Sequence, residues 1–323
     1  MRVTHIALCG LLLFGSGCAR TTRPAGATAA TPGAGEAQTI QQLLAAQPAK
    51  ERGVELTFGE PASQAIVLEP PLAALQVGER LVYKGRWMGI PVGWGSIEVR
   101  EIVEVQGRQA FHIVGEAHSN NWLSKFYPVH DIVHSYVDVE QLHPLRFEKS
   151  QHEGHYRSEE VVTFDHVNGV ATYESLLNRE IKEFLNEAVK HTKIPPHTQD
   201  PLSAFCVLRL QPIAVGTPIN VDVYSDEKHF PTEVKVMKTL ILEIRRRGVF
   251  PAVQVEPVAR FKGLLVDRGR VYLYMSTDRQ RVPLYIQLWT PWGLVTGTID
   301  RDTAARLRAA LPPTDRRRNN FGP

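Results

Sequence analysis

Cysteine is scarce, with three in 323 residues, too few for a disulfide framework. No run of 18 apolar residues occurs, so no segment reads as a membrane-spanning helix. Charge is weak: 37 Lys and Arg oppose 34 Asp and Glu, and a surplus of +3 argues against a nucleic-acid partner. There is no G-x-S-x-G elbow, no Walker loop and no G-x-G-x-x-G after a strand. Nothing therefore indicates an activated serine or a nucleotide cofactor, and no cofactor is expected. What remains is ordinary globular material, 43% hydrophobic, 22% charged and 8% aromatic. Those values exclude a disordered, collagen-like or coiled-coil chain.

The first residues read as an export signal. Arg2 supplies a positive start, Ile6 to Phe14 an apolar run of nine, and Gly15-Ser16-Gly17 the small residues that suit a peptidase. Cys18 follows directly and is expected to carry lipid, as in a bacterial lipoprotein. The usual leucine three residues before that cysteine is Gly15 here. Ordinary secretion, with cleavage near residues 25–27, stays open. Ala19 favours the outer membrane by analogy with lipoprotein sorting, so the protein is expected to face the periplasm, anchored through membrane lipid. Cys206 then remains as a lone thiol in an apolar stretch, and burial is its expected state.

Residues 1–17 are thus read as signal peptide and 18–72 as a lipid-anchored flexible linker, rich in Ala, Thr, Gly and Pro near its start. Residues 73–300 form a single β-rich domain, and 301–323 a basic tail with six Arg against two Asp. Alternation dominates the body. Ile97, Val99, Val103 and Val105 are expected to share one face, and Val234, Val236, Leu240, Leu242 and Ile244 another, interrupted by Lys238. Gly89-Ile90-Pro91-Val92-Gly93 and Asn168-Gly169 mark turns between consecutive runs, which predicts antiparallel meanders. The expected fold is mainly β: a strongly bent antiparallel sheet or half-open barrel of about 10–13 strands with one or two short packed helices. Asp200-Pro201 predicts a helix start, with Asp200 as cap and the apolar run to Leu210 buried against the sheet. Helical spacing from Ser175 to His191 predicts another helix, and Asp302 to Leu311 a third.

Several segments resemble one family. They are Leu81 to Trp87 with Gly89 to Gly93; Phe126 to Asp131 with Tyr136 and Asp138; Ile194 to Phe205; and Arg281 to Leu284 with Gly293. Together they resemble domain of unknown function 3108, a family of exported bacterial proteins, over about residues 75–299. The resemblance implies a bent, β-rich fold similar in architecture to the LolA/LolB lipoprotein carriers. It implies structural roles for Asp131, Tyr136, Asp138, Asp200, Pro201, Ser203, Pro283 and Gly293, and it transfers no catalytic residue.

Ten of the twelve histidines fall between His112 and His197. His130 and His134 stand about 13 Å apart along a strand, too far to share a metal, and His152-Glu153-Gly154-His155 has the wrong spacing for the H-E-x-x-H zinc motif. No metal site is expected. Asp131 and Asp138 have opposite parity, which argues against a paired acid–base site between those two. The aromatics Trp87, Trp94, Trp122, Phe126, Phe205, Tyr285 and Trp289 can line a hollow in a bent sheet and take an apolar ligand, or they can fill the core. The leading expectation is a non-enzymatic envelope lipoprotein that binds an acyl chain or another lipoprotein. A scaffold that meets another envelope protein is the alternative, and a hydrolase the third.

Overall fold

The computed structural model describes residues 54–57, 67–68, 75–175, 189–261, 264–265, 270–290 and 293–310. Cys18, the end of the basic tail from residue 311 and most of the helical spacing after Ser175 lie outside them. In chain order the strands are β1 (Val54–Thr57), β2 (Val67–Leu68), β3 (Arg80–Trp87), β4 (Ile90–Val105), β5 (Arg108–Ser119), β6 (His130–Asp138), β7 (Pro144–Glu153), β8 (Tyr156–Asp165) and β9 (Val170–Ser175). They continue as β10 (Val189–Lys193), β11 (Ile213–Ala214), β12 (Ile219–Ser225), β13 (Lys228–Ile244), β14 (Gly248–Phe261), β15 (Leu264–Leu265), β16 (Arg270–Ser276), β17 (Pro283–Thr290) and β18 (Gly293–Ile299). Among the described residues two α-helices join them, α1 (Pro201–Leu208) and α2 (Arg301–Ala310). The helix expected up to His191 fails at its end, where residues 189–191 belong to β10 and pair with β9.

One antiparallel sheet holds fourteen strands in the order β1-β13-β14-β16-β17-β18-β3-β4-β5-β6-β7-β8-β9-β10, with β12 added beside β13 and β15 beside β14. From β3 to β10 each strand pairs with its sequence neighbour, as hairpin turns dictate. β18 joins that meander to the C-terminal half by pairing with β3. The stretch before residue 72, read as irregular, contributes β1 against the end of β13, and β2 against β11. Neither pairing leaves a local signal, because each partner lies far away in sequence.

The sheet is not closed into a barrel, yet its two edges meet. Beyond β10, Gln199 bridges to Val223 of β12: its N–H donates to the Asp222 carbonyl at 2.7 Å, and its carbonyl accepts from Tyr224 N–H at 2.8 Å. The Lys190 ammonium meets Glu227 at 2.6 Å across the same gap.

α1 begins there and fills the concavity. Its eight residues are all buried, and it touches β5, β6 and β12. Leu202, Phe205, Cys206 and Leu208 belong to one continuous core with Leu81, Tyr83, Ile113, Val133, Val236 and Leu273. Burying each large side chain stabilises the fold by about 1.5–3 kcal/mol. Cys206 is buried as expected, and desolvation pushes its thiol up to about 12. α2, the start of the basic tail, is likewise part of the body. Asp300 accepts from Thr303 N–H at 2.8 Å, and Ala304 and Leu307 enter the core.

The parity of β13 changes at a bulge. Val236 stands opposite Val255, but Lys238 stands opposite Gln254 and Leu240 opposite Ala252. Met237 is the extra residue, so Val234 and Val236 lie on one face and Leu240, Leu242 and Ile244 on the other. The shared face expected from alternation is corrected accordingly, and so is that of β4, where a bulge at Arg100 sets Val103 and Val105 on the face opposite to Ile97 and Val99. Both sets are buried, which is why the sequence pattern shows no break.

Candidate functional site

The inner face of the sheet is the one whose Ser135 reaches Asp200 of the α1 cap. Against that reference the seven aromatics do not converge. Phe205 is in the core of α1. Trp87 is inward, half-buried at one end of the sheet, between Leu288 and Val295 of one half and Val92, Val129, Leu123 and Tyr127 of the other. Trp94 is on the outer face, stacked on His118 at 4.3 Å. Tyr285 and Trp289 are also on the outer side, because Thr298 opposes Tyr285 while its neighbour Ile299 opposes inward Tyr83. There a hydrogen-bond chain runs from Gln254 to Tyr274 to Gln287 to Tyr285. Trp122 and Phe126 project from the β5–β6 connection. The hollow expected to be lined by these seven is therefore corrected: Phe205 fills the core, Trp87 stands at the sheet end, Trp94, Tyr285 and Trp289 lie outside, and Trp122 and Phe126 sit on a connection.

The family-motif residues have structural surroundings. Asp200 accepts from Leu202 and Ser203 N–H, both at 2.8 Å, and Ser203 Oγ accepts from Asp200 N–H at 2.9 Å, which closes a capping box with Pro201 in the first turn. Asp138 ends β6, accepting from Glu140 and Gln141 N–H and pairing with Arg108 at 2.6 Å. Tyr136 stacks on His112. The Pro283 carbonyl accepts from Tyr83 OH at 2.9 Å. Gly293 has φ +122°, and a Cβ there would stand 2.6 Å from Met88 Sδ, so no other residue fits without moving that side chain.

His112, His118, His130, His134 and His152 gather on the outer face of β5 to β7, while His143 stacks separately on His166 at 3.7 Å and beside His197 at 5.5 Å. His112 Nε2 meets His134 Nδ1 at 2.9 Å, and the rings of His118 and His130 lie 4.5 Å apart. Burial, then the neighbouring imidazole, hold His118 and His134 below the ordinary histidine value. Among the described residues no group of three or more His, Cys, Asp and Glu is placed to hold a metal.

Two features meet at the Trp87 end. The first is a protruding apolar tip. Met88 and Gly89, both with positive φ, turn β3 into β4 and leave Met88 61% and Ile90 48% exposed. Beside them, the β5–β6 connection makes a 3-10 turn over Leu123–Lys125. Asn120 fixes it: Oδ1 accepts from Leu123 N–H, while Nδ2 donates to the Pro91 carbonyl, each at 2.8 Å. Trp122 is 53% and Phe126 74% exposed on this turn.

The second feature lies directly underneath. Strand parity carries the inward face of Leu145 and Phe147 on to Lys149, Gln151 and Glu153, all buried. Lys149 pairs with Glu160 at 2.8 Å, and Ser158 Oγ donates to the same carboxylate at 2.8 Å. Asp131 accepts from His152 N–H at 2.8 Å, and Tyr127 OH donates to Glu153 at 3.3 Å. Gly154, φ +57°, lets the Tyr127 ring lie over the strand end; a Cβ would stand 2.9 Å from it. Asp131 Oδ2 and Glu153 Oε1 are buried, and neither has a hydrogen-bond partner among the described residues. A proton retained by Glu153 relieves the repulsion between the two carboxyl groups. Burial, then Asp131, raise Glu153 to about 8. The sequence reading missed Tyr127, Lys149, Gln151 and Glu153 as a group, although charged residues continuing a core parity were a visible signal.

Because the folded state holds Glu153 above its unfolded value, this group's contribution is fully present below about pH 4.5 and is lost as pH rises through about 8. Glu153→Gln, which stays neutral, should flatten that loss. Thermal unfolding from pH 6 to 9 should show the parent falling by roughly 5 °C and the variant by much less. Parallel curves would rule out the retained proton.

No curated protein matches the chain. Among solved structures, it is similar to the crystal structure of a β-barrel-like protein of domain of unknown function DUF1849 from Brucella abortus. The identity is 10% and the TM-score 0.46, over 71% of this chain and 98% of that one. The model of the family described as "Protein of unknown function (DUF3108)" matches residues 82–300, about two thirds of the chain, and the protein belongs to that family.

Proposed function

We propose that this protein is an exported, lipid-anchored, non-enzymatic binding module of the bacterial cell envelope, and that it works through the apolar tip at Met88, Ile90, Trp122 and Phe126. The carrying observation is the occupied interior. α1 lies where an acyl chain would sit in a half-open barrel, buried on all sides within one continuous core. Exposed apolar side chains gathered from two adjacent loops, by contrast, mark an interaction surface. This favours the surface-binding reading over a carrier with a ligand inside the sheet. The carboxyl pair supports a non-catalytic reading, since Tyr127 roofs it and Asp131 also holds the backbone of His152; a general acid must reach its substrate.

Cys18 would supply the anchor. Expressed in a bacterium, the protein should label with palmitate and fractionate with membranes, and Cys18→Ala should lose both, because stable anchoring takes more than one acyl chain. Unchanged labelling in Cys18→Ala would remove the anchor. A solvent extract of the purified Cys18→Ala protein, analysed by mass spectrometry, should hold no lipid in stoichiometric amount. One bound lipid per chain would overturn the surface-binding reading in favour of a carrier.

A further inference from the structure

We propose that the tip docks on an anionic phospholipid surface, with Trp122 and Phe126 entering the headgroup region and Lys125 and Arg157 meeting the phosphates. This rests on the tip being the working surface and names its partner.

Charge decides between a bilayer and a protein partner. Three loops form the tip: residues 87–91, 119–129 and 153–157. Lys125 and Arg157 are exposed there, and Arg157 is held by the carbonyls of Gly154 and Tyr156. The sole carboxylate in these loops is Glu153, which is buried and which desolvation, then Asp131, push toward its neutral form. An aromatic and aliphatic tip with cations around it and no exposed anion suits the interface of a negatively charged membrane. It suits a mixed-charge protein surface less well, since rims of such interfaces carry both signs.

The tip is also mechanically suited to this. Trp122 and Phe126 stand on a turn tied to β4 through Asn120 and seated on the small core of Val92, Val129, Trp87, Leu123 and Tyr127. The rings are presented without an ordering cost at binding. The chain enters the sheet at β1, at the end remote from the tip, because Val54 pairs with Ile244 next to the β13–β14 turn. The 35 residues between Cys18 and Val54 span at most about 120 Å, so an anchored chain can still turn its tip to the same membrane.

The test uses full-length protein carrying Cys18→Ala, so that no acyl anchor binds vesicles; any leader contribution is common to all variants. Sedimentation with sucrose-loaded vesicles compares pure phosphatidylcholine with a mixture containing about one third phosphatidylglycerol. Binding should favour the anionic vesicles and weaken with salt. Trp122→Ala with Phe126→Ala should reduce it at least tenfold, and Lys125→Glu roughly thirtyfold, at about fivefold per unit charge. Both variants alter exposed residues, so their melting temperatures should match the parent's. Brominated phospholipid should quench fluorescence in the parent and much less in Trp122→Phe. Binding that ignores lipid charge, or that the tip variants leave intact, overturns the inference. A lipid-free extract with tip-independent vesicle binding would remove this inference alone, whereas a stoichiometric lipid in the extract would remove the surface-binding reading beneath it.

Discussion

Asp200→Ala should lower the free energy of unfolding by about 3 kcal/mol, more than an ordinary helix cap supplies. Loss of a cap costs about 0.5–2 kcal/mol where water can replace the carboxylate. Here no water reaches it. Asp200 is wholly buried, and its second oxygen accepts from Ser135 Oγ at 2.5 Å, which fastens the start of α1 to β6. Alanine would leave Leu202 N–H, Ser203 N–H and the Ser135 hydroxyl without that acceptor, each a buried donor. Asp200→Asn keeps Oδ1 for the two backbone groups, and its amide can donate to Ser135 Oγ, so it should cost under about 1 kcal/mol. The variants differ in pH dependence as well. Burial raises Asp200 to about 6 in spite of its hydrogen bonds. Its contribution is therefore present below the unfolded value of 3.8 and lost as pH rises through about 6. Asparagine should abolish that slope. Urea titrations at pH 4 and pH 7 measure both effects, and equal large losses in the two variants would show that charge, not capping, matters at this position.

Arg281→Ala should be more damaging, at about 3–5 kcal/mol. Among the described residues Arg281 is the largest fully buried side chain. Its guanidinium donates to the carbonyls of Arg209 and Gln211, just past the C-terminus of α1, where a helix carries partial negative charge and unsatisfied acceptors. Arg209 extends the arrangement outward, gripping Glu79 with two hydrogen bonds at 2.6 and 2.7 Å and donating to the Gln280 carbonyl. Removing Arg281 opens a void and leaves the carbonyls of Arg209 and Gln211 without their guanidinium donor. Arg281→Lys should recover only part of the loss, because an ammonium does not reproduce the guanidinium's planar spread of donors. A loss below about 1 kcal/mol in urea unfolding would mean that the helix end is held by other contacts.

Both predictions concern α1, and the sequence announced α1 more clearly than any other feature. Asp200-Pro201 before an apolar run is a local signal whose physics needs no partner. The meander from β3 to β9 was legible for the same reason: alternation and turns are properties of neighbouring residues, whereas β10 was read as the end of a helix. Long-range pairing was not. Val54 to Thr57 look like linker and become a strand only because β13 offers them an edge. The bulge at Met237 was hidden, since Leu240 and Leu242 meet a buried surface on the opposite face and keep their apolar character. Trp122 and Phe126 were singled out as aromatics to line a hollow, but composition does not say which side of a sheet a connection leaves from. The carboxyl pair was half visible. Asp131 was recognised, while Glu153 was assigned to a turn motif with the histidines around it. Its parity with Phe147 and Lys149 held the better reading.

The central claim is that the interior belongs to α1 and the working surface is the tip. Amide hydrogen exchange on the full-length Cys18→Ala protein, alone and with phosphatidylglycerol-containing vesicles, tests it most directly. Amides of residues 203–208 should be among the slowest in the protein and unchanged by lipid, while protection should rise at residues 119–129 when vesicles are added. Fast exchange in α1, or a lipid-dependent change confined to α1, would contradict the account and return the protein to a carrier that opens around its ligand.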